Sequence, residues 1–146
     1  MTAIHRVPGC LFCAIVAGEQ RAHMVIETGA VRAFLDHRPL FPGHTLVVPA
    51  DHVDHLNVAP DDLMGPLWDT VRAVSRVLMD DLGAVGTFTA TNTVVSQSVP
   101  HLHVHVVPRR PKDGLRGFFW PRTKYGSDAE AAAVAAQLRA ALEAGR

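Results

Sequence analysis

Histidine alternates with apolar residues in the stretch HLHVHVVP, residues 101–108, and no other feature constrains the fold as tightly. Alternation with a period of two is typical of a β-strand, because successive side chains of a strand point to opposite faces of the sheet. The apolar row is expected to face the core. The opposite row brings together three imidazoles, those of His101, His103 and His105.

Other short stretches also have the composition of strands. They are rich in β-branched and aromatic residues and are bounded by glycine, proline and polar turn residues. Strands are predicted at 24–27, 31–36, 45–49 and 86–91.

Two stretches follow the period of a helix. Apolar residues three and four apart predict a long helix at 61–83, which should begin late or kink at Pro66. A second helix is predicted at 127–145, where Ser127 and Glu130 form a capping box. The order of strands and helices predicts an α+β fold, an antiparallel sheet with one long central helix and a C-terminal helix.

Length, charge and hydropathy narrow the class of protein. The 146 residues contain no repeat or linker, so a single domain over 1–146 is predicted. The 14 basic residues are balanced by 14 acidic ones, which argues against a nucleic-acid-binding surface. No apolar run approaches the length of a membrane span, and no export signal is recognisable. A cytoplasmic protein without a membrane partner is expected.

The two cysteines, Cys10 and Cys13, lie in the sequence CLFC. With only two residues between them and no other cysteine in the chain, a useful structural disulfide is not expected. The pair instead indicates metal or redox chemistry in a reducing compartment.

The histidine row is compatible with two chemistries. A His-x-His pair on a strand can supply two zinc ligands. Alternatively, one histidine can act as a nucleophile that its neighbours position. The residues upstream favour an anionic phosphate substrate, because Asn92, Gln97 and Ser98 are neutral hydrogen-bonding side chains and no carboxylate accompanies them.

Three blocks of the sequence resemble the histidine triad (HIT) family. QSVPHLHVHVVPR resembles the family signature, CLFCAIVAGE its N-terminal opening, and AFLDHRPLFPGHTLVVPADHV its central pair of strands. Together they cover residues 10–110, leaving a C-terminal segment and helix at 111–146. The resemblance implies a HIT-like fold and a homodimer.

It also implies an activity. Members hydrolyse or transfer a nucleoside 5′-monophosphate from phosphoramidates or (di)nucleoside polyphosphates through a nucleotidylated histidine, here His103, and need no metal for the chemistry. His101, His105, His44 and Ser98 would complete the catalytic group. A purine nucleotide would be held by Phe34, Leu35, Asp36, Asn92, Gln97 and Ser98.

The same resemblance implies a structural zinc on the cysteine pair. Its ligands would be Cys10, Cys13, His52 and His101, with His55 as a competing ligand. Two other functions stay open: a zinc-dependent hydrolase that uses the histidine triplet as ligands, and a nucleotide-binding scaffold with weak catalysis.

Two segments differ from the family or are not covered by its motifs. The loop at 91–97 is short and has Ser96 where the family has a glycine. The segment 115–126 combines basic residues with Phe118, Phe119 and Trp120, which could bind a polyphosphate or a second base, or pack against a dimer partner.

Overall fold

The computed structural model describes residues 3–116 and 122–145. The chain divides into two compact units, Met1–Asp113 and Gly114–Arg146, and each is described by itself. Phe118, Phe119 and Trp120 lie outside the described residues. The single domain over 1–146 stays a prediction.

The first unit is built on a five-stranded antiparallel sheet with the strand order β1-β2-β3-β5-β4. Its elements are α1 (Leu11–Val16), β1 (Met24–Glu27), β2 (Val31–Leu35), β3 (Thr45–Pro49), a 3₁₀ turn (Leu56–Val58), α2 (Asp61–Asp80), β4 (Gly86–Ala90) and β5 (Val104–Arg109). The predicted α+β class, with an antiparallel sheet and one long helix, is confirmed.

Helix α2 covers one face of the sheet. Its apolar stripe is buried, as the three- and four-residue spacing predicted: Leu63, Leu67, Val71, Val74 and Leu78. The stripe packs against the apolar row of the alternating stretch, Leu102, Val104 and Val106, all fully buried. Complete burial of such a side chain contributes about 1.5–3 kcal/mol, so this layer anchors the strand that carries the histidines.

The helix begins at Asp61, so the predicted late start at Pro66 is wrong. A proline inside a helix removes one hydrogen bond, which here leaves the carbonyl of Asp62 without its partner. Both Asp62 and Pro66 are exposed, so solvent can hydrogen-bond the freed carbonyl. The break is therefore tolerated near the helix start.

Helix α1 packs on the other face of the sheet. Phe12 and Ile15 contact Phe34, Leu46 and Val48 in a second apolar cluster. The strand register continues across this face, where Leu46 of β3 pairs with Phe34 on one side and with His105 on the other. The side chain of His105 therefore points to the face that α1 covers.

Strand β5 begins at Val104, three residues later than the predicted 101–108. The backbone before it bonds elsewhere: the N–H of His101 donates to the carbonyl of Val99 and that of Leu102 to the carbonyl of Val53. The alternation in burial nevertheless extends back to Leu102, so the two rows of side chains persist beyond the strand.

The second unit contains α3 (Asp128–Glu143), close to the predicted 127–145. The N–H of Glu130 donates to the Ser127 hydroxyl at 3.1 Å, as in a capping box, but the Glu130 carboxylate accepts from the N–H of Gly126 rather than that of Ser127. Across the described parts of both units, each helix is too short or too polar to cross a bilayer.

Candidate active site and metal site

His103 is held in a single tautomer. Its side chain is buried, and Nδ1 lies 2.8 Å from the carbonyl oxygen of His101. A carbonyl only accepts hydrogen bonds, so Nδ1 must carry the proton and donate. The other nitrogen, Nε2, then keeps its lone pair, which is the state a nucleophilic imidazole requires.

His44 and His105 form a second pair whose proton positions follow in the same way. The N–H of Leu40 donates to Nδ1 of His44 at 3.1 Å, so the proton of His44 is on Nε2. That nitrogen lies 2.9 Å from Nδ1 of His105 and donates to it. His105 consequently carries its own proton on Nε2 and can donate it to a phosphoryl oxygen or a leaving group.

Burial keeps these imidazoles neutral. Removal from water lowers the pKa of His44 and of His103, against the raising effect of the Asp36 carboxylate and, for His103, of the His101 carbonyl. Burial, with the positive charge that His103 and His44 could carry, lowers the pKa of His105 to about 4. The site therefore presents uncharged donors and one free lone pair at neutral pH.

The second group of donors is the set for which zinc was predicted. The ligand atoms of Cys10, Cys13, His52 and His101 all lie within 4.8 Å of one another. Nδ1 of His101 is 3.4 Å from the Cys10 sulfur and 3.6 Å from the Cys13 sulfur, and Nδ1 of His52 is 3.3 Å from the Cys13 sulfur. Two thiols and two imidazoles are a donor set that zinc binds in tetrahedral geometry.

The hydrogen bonds of His101 and His52 are compatible with zinc binding. Nε2 of His101 donates to the carbonyl of Pro49 at 2.9 Å, and Nε2 of His52 donates to the Asp54 carboxylate at 2.8 Å. Each bond places the proton on Nε2 and leaves Nδ1 free to coordinate, which is how ligand histidines are ordinarily oriented. His55, the competing ligand, is not part of the cluster. The residues present therefore fit a zinc ion.

A third group with potential metal ligands, Asp36, His44 and His105, is less suited to one. The nitrogen of His44 that faces the group, Nε2, carries a proton because Leu40 donates to Nδ1. A metal would have to displace that proton and break two hydrogen bonds. The hydrogen bonds of this group therefore suit proton positioning better than metal binding.

The residues expected to bind a nucleoside lie on and after β2. Phe34 is buried, with its ring centroid 5.4 Å from that of Phe12, whereas Leu35 is exposed. Asp36 accepts a hydrogen bond from the N–H of Arg38 at 2.9 Å, as a turn residue does, and lies 3.7 Å from Nε2 of His44. The structure therefore places Asp36 beside His44 and Phe34 against Phe12, with Leu35 exposed.

The loop that precedes Ser98 is hydrogen-bonded internally. The amide of Asn92 donates to the carbonyl of Ser96 at 3.1 Å. Gln97 accepts from the N–H of Val94 at 3.1 Å and donates to the carbonyl of Asp54 at 2.6 Å. Ser98 is exposed next to them. Asn92 and Gln97, two of the three residues expected to contact the phosphate, thus use their side chains to stabilise the loop.

Sequence reasoning missed Phe12 and Asp54. The Phe12 ring meets those of His103 and His101 edge-on, at centroid distances of 5.0 Å and 5.9 Å. Its position between the two cysteines was the signal that could have placed it near the site. Asp54 gave no such signal, because it depends on where His52 falls in the fold.

Comparisons with known proteins agree with this geometry. Residues 17–112 match the HIT domain. The chain is 34% identical to the protein hit of Bacillus subtilis over 119 residues, which are 80% of this chain and 82% of that protein. It is 30% identical to the adenosine 5′-monophosphoramidase of Candida albicans over 118 residues, 77% of this chain and 78% of that protein.

Among solved structures, a Zn-bound histidine triad family protein from Mycobacterium smegmatis aligns with a TM-score of 0.70 and 34% identity, covering 91% of this chain and 97% of that one. The HIT domain match at 17–112 includes the histidine row and covers well over half of the chain. The chain therefore belongs to the HIT domain family of histidine triad proteins.

Proposed function

We propose that the protein hydrolyses or transfers a nucleoside 5′-monophosphate from a phosphoramidate or a (di)nucleoside polyphosphate, with His103 as the nucleophile. The observation that carries the proposal is the bond from Nδ1 of His103 to the carbonyl of His101, which leaves Nε2 unprotonated. The name of the Candida albicans relative, an adenosine 5′-monophosphoramidase, supports both the substrate class and a purine base.

The reaction then proceeds in two displacements. Nε2 of His103 bonds to the α-phosphorus as the bond to the leaving amine or phosphate breaks, and the Nε2–H of His105 is the donor for that leaving group. Water next attacks phosphorus, the bond to His103 breaks, the proton lost by the water returns to Nε2 of His105, and nucleoside monophosphate is released. The neutral N–H donors of the site can hydrogen-bond the phosphate oxygens without adding negative charge.

The nucleoside is assigned to the face next to helix α1. Phe34, which lies on that face, would contact the base and Asp36 the ribose hydroxyls, whereas Leu35 points away from it. Ser98 is the exposed hydroxyl next to the phosphate loop. Asn92 and Gln97 would contribute through the shape of that loop, since Asn92 is bonded within it and Gln97 both within it and to the carbonyl of Asp54.

Zinc would be held by the four donors Cys10, Cys13, His52 and His101, and its role would be structural. Four protein ligands complete a tetrahedral zinc, so no position is left for water or substrate. Such an ion ties α1 to the segment that precedes β5. Both ring nitrogens of His101 are then used, one by the metal and one by Pro49, and its carbonyl remains as the acceptor for His103.

Mass spectrometry of the protein mixed with adenosine 5′-phosphoramidate tests the mechanism. A peptide containing His103 is expected to gain the mass of one adenylyl group after a rapid alkaline denaturing quench, because a phosphorus–nitrogen bond to histidine hydrolyses in acid. Turnover that a chelator abolishes at once, without loss of fold, would favour the zinc-dependent hydrolase. Nucleotide binding without turnover or adduct would favour the scaffold.

The pH profile is expected to extend further into acid than that of a free imidazole. His105 must stay unprotonated at Nδ1 to accept from His44, and its pKa is lowered to about 4. Because a lowered pKa delays protonation to lower pH, kcat/KM should stay flat from about pH 8 to about pH 6 and decline only below that, with its midpoint under the ordinary imidazole value of about 6.5. A decline centred above that value would contradict this account.

A homodimer and a cytoplasmic location are part of the same proposal. Sedimentation equilibrium of the purified chain and fractionation of the cells that produce it test the two statements. A species with the mass of one chain throughout the micromolar range would contradict the proposed homodimer.

A further inference from the structure

The loop at 92–97 contains backbone that side chains other than glycine rarely adopt. Val94 has φ +67° and Ser96 has φ +61°. A β-branched residue in this left-handed region is a genuine outlier, because its side chain crowds the neighbouring carbonyl. Such a conformation persists only where surrounding contacts hold it.

Gln97 supplies contacts of that kind from both ends of its amide. Its oxygen accepts the N–H of Val94 at 3.1 Å, and its nitrogen donates to the carbonyl of Asp54 at 2.6 Å. The orientation of the amide is fixed, since a carbonyl can only accept and an N–H can only donate. The side chain thus connects the strained residue to a distant segment, 43 residues away in sequence.

The anchor of this connection belongs to the cysteine and histidine cluster. Asp54 accepts from Gln97 with its backbone carbonyl, and its carboxylate accepts from Nε2 of His52 at 2.8 Å. One residue therefore holds both the loop and a histidine of that cluster. Ser98 follows Gln97 directly, so any shift of the loop is passed to it.

We propose that Gln97 is a positioning residue that holds the strained 92–97 loop, and with it Ser98, against the Asp54 segment. It acts by keeping Val94 in its left-handed conformation, not by touching the phosphate. The effect on rate rests on the proposed function, whereas the effect on the loop does not.

Replacing Gln97 tests the connection. Gln97→Ala removes both bonds, and we expect kcat to fall about tenfold to a hundredfold with KM changed less than about twofold, as for a misplaced catalytic geometry. Gln97→Glu keeps the acceptor but places an oxygen against the Asp54 carbonyl, so it should resemble the alanine variant. A rise in KM with unchanged kcat would instead indicate a direct phosphate contact and overturn the proposal.

Relief of strain gives the sharper test. Glycine adopts φ near +67° without crowding, so Val94→Gly should recover at least about threefold of the rate lost in Gln97→Ala. Val95→Gly is the matched control, because Val95 is 79% exposed and lacks a positive φ, and it should recover nothing. Equal behaviour of the two glycine variants would overturn the proposal.

Hydrogen exchange separates this inference from the proposed function. The amide of Val94 should exchange at least about tenfold faster in Gln97→Ala than in the wild-type protein, whether or not any nucleotide is turned over. If the wild-type protein is inactive on nucleotides but its Val94 amide exchanges more slowly than that of Gln97→Ala, the proposed function is contradicted and the positioning role is supported. Identical exchange in both proteins would overturn the role itself.

Discussion

The His103→Ala variant should lose about two to four orders of magnitude in turnover of adenosine 5′-phosphoramidate. An essential nucleophile contributes on this scale, and each tenfold loss corresponds to about 1.4 kcal/mol in the barrier. The free Nε2 of His103 is the only lone pair left in the arrangement of His103, His44 and His105, so neither neighbour can replace it. Stopped-flow or discontinuous assays of kcat/KM check the size of the loss.

His103→Asn separates the nucleophile from the fold. The asparagine nitrogen can still donate to the carbonyl of His101, yet no group remains at the position of Nε2. We expect this variant to keep nucleotide binding and thermal stability better than the alanine variant while remaining equally inactive. His23→Ala, at an exposed histidine outside the site, is the matched control. More than about a tenth of wild-type rate in both His103 variants would exclude His103 as the nucleophile.

Replacement of both cysteines should have the largest effect on stability. Cys10→Ser with Cys13→Ser removes two of the four proposed zinc ligands, and the binding free energy of a structural zinc is also folding free energy. We expect the melting temperature to fall by about 10 °C or more in a chain of this size. Turnover well below the new melting point should fall only severalfold, because the metal has no open position for chemistry.

Metal analysis completes this test. The wild-type protein should contain about one zinc per chain and the double variant almost none. His52→Ala should lose the metal as well, whereas His55→Ala should retain it, because His55 is not part of the cluster. Purified wild-type protein without zinc would refute the site. A folded double variant that is wholly inactive would show that the metal takes part in the reaction.

The main layers of the fold could be predicted because they depend on periodicity. The alternation at 101–108 and the helical spacing of Leu67, Val71 and Val74 each identified the side that is buried. Helix α1 could not be found in this way, since six residues are too few to display a helical period. The first residue of β5 also depends on partners distant in sequence, such as the carbonyl of Val53.

The residues of the candidate site could be predicted from the sequence, but their hydrogen bonds could not. The motif indicated which histidines assemble, but the proton on each ring depends on single acceptors and donors, such as the Leu40 N–H, that have no sequence signature. The same is true of Gln97, whose amide is bonded to Asp54 and Val94 instead of being free for a phosphate. Side-chain roles of this kind follow only from three-dimensional contacts.

The position of Phe12 has a practical consequence for anyone assaying the protein. Its ring lies against His103 while the residues two before and one after it are candidate metal ligands. If the proposed zinc binds there, its partial loss during purification would loosen the packing of Phe12 against His103. Batches with different metal content would differ in specific activity, and added zinc would raise the rate until one ion per chain is bound. An activation curve that saturates in this way, above a substantial rate without metal, would reflect repaired packing and should not be taken as proof of a metalloenzyme.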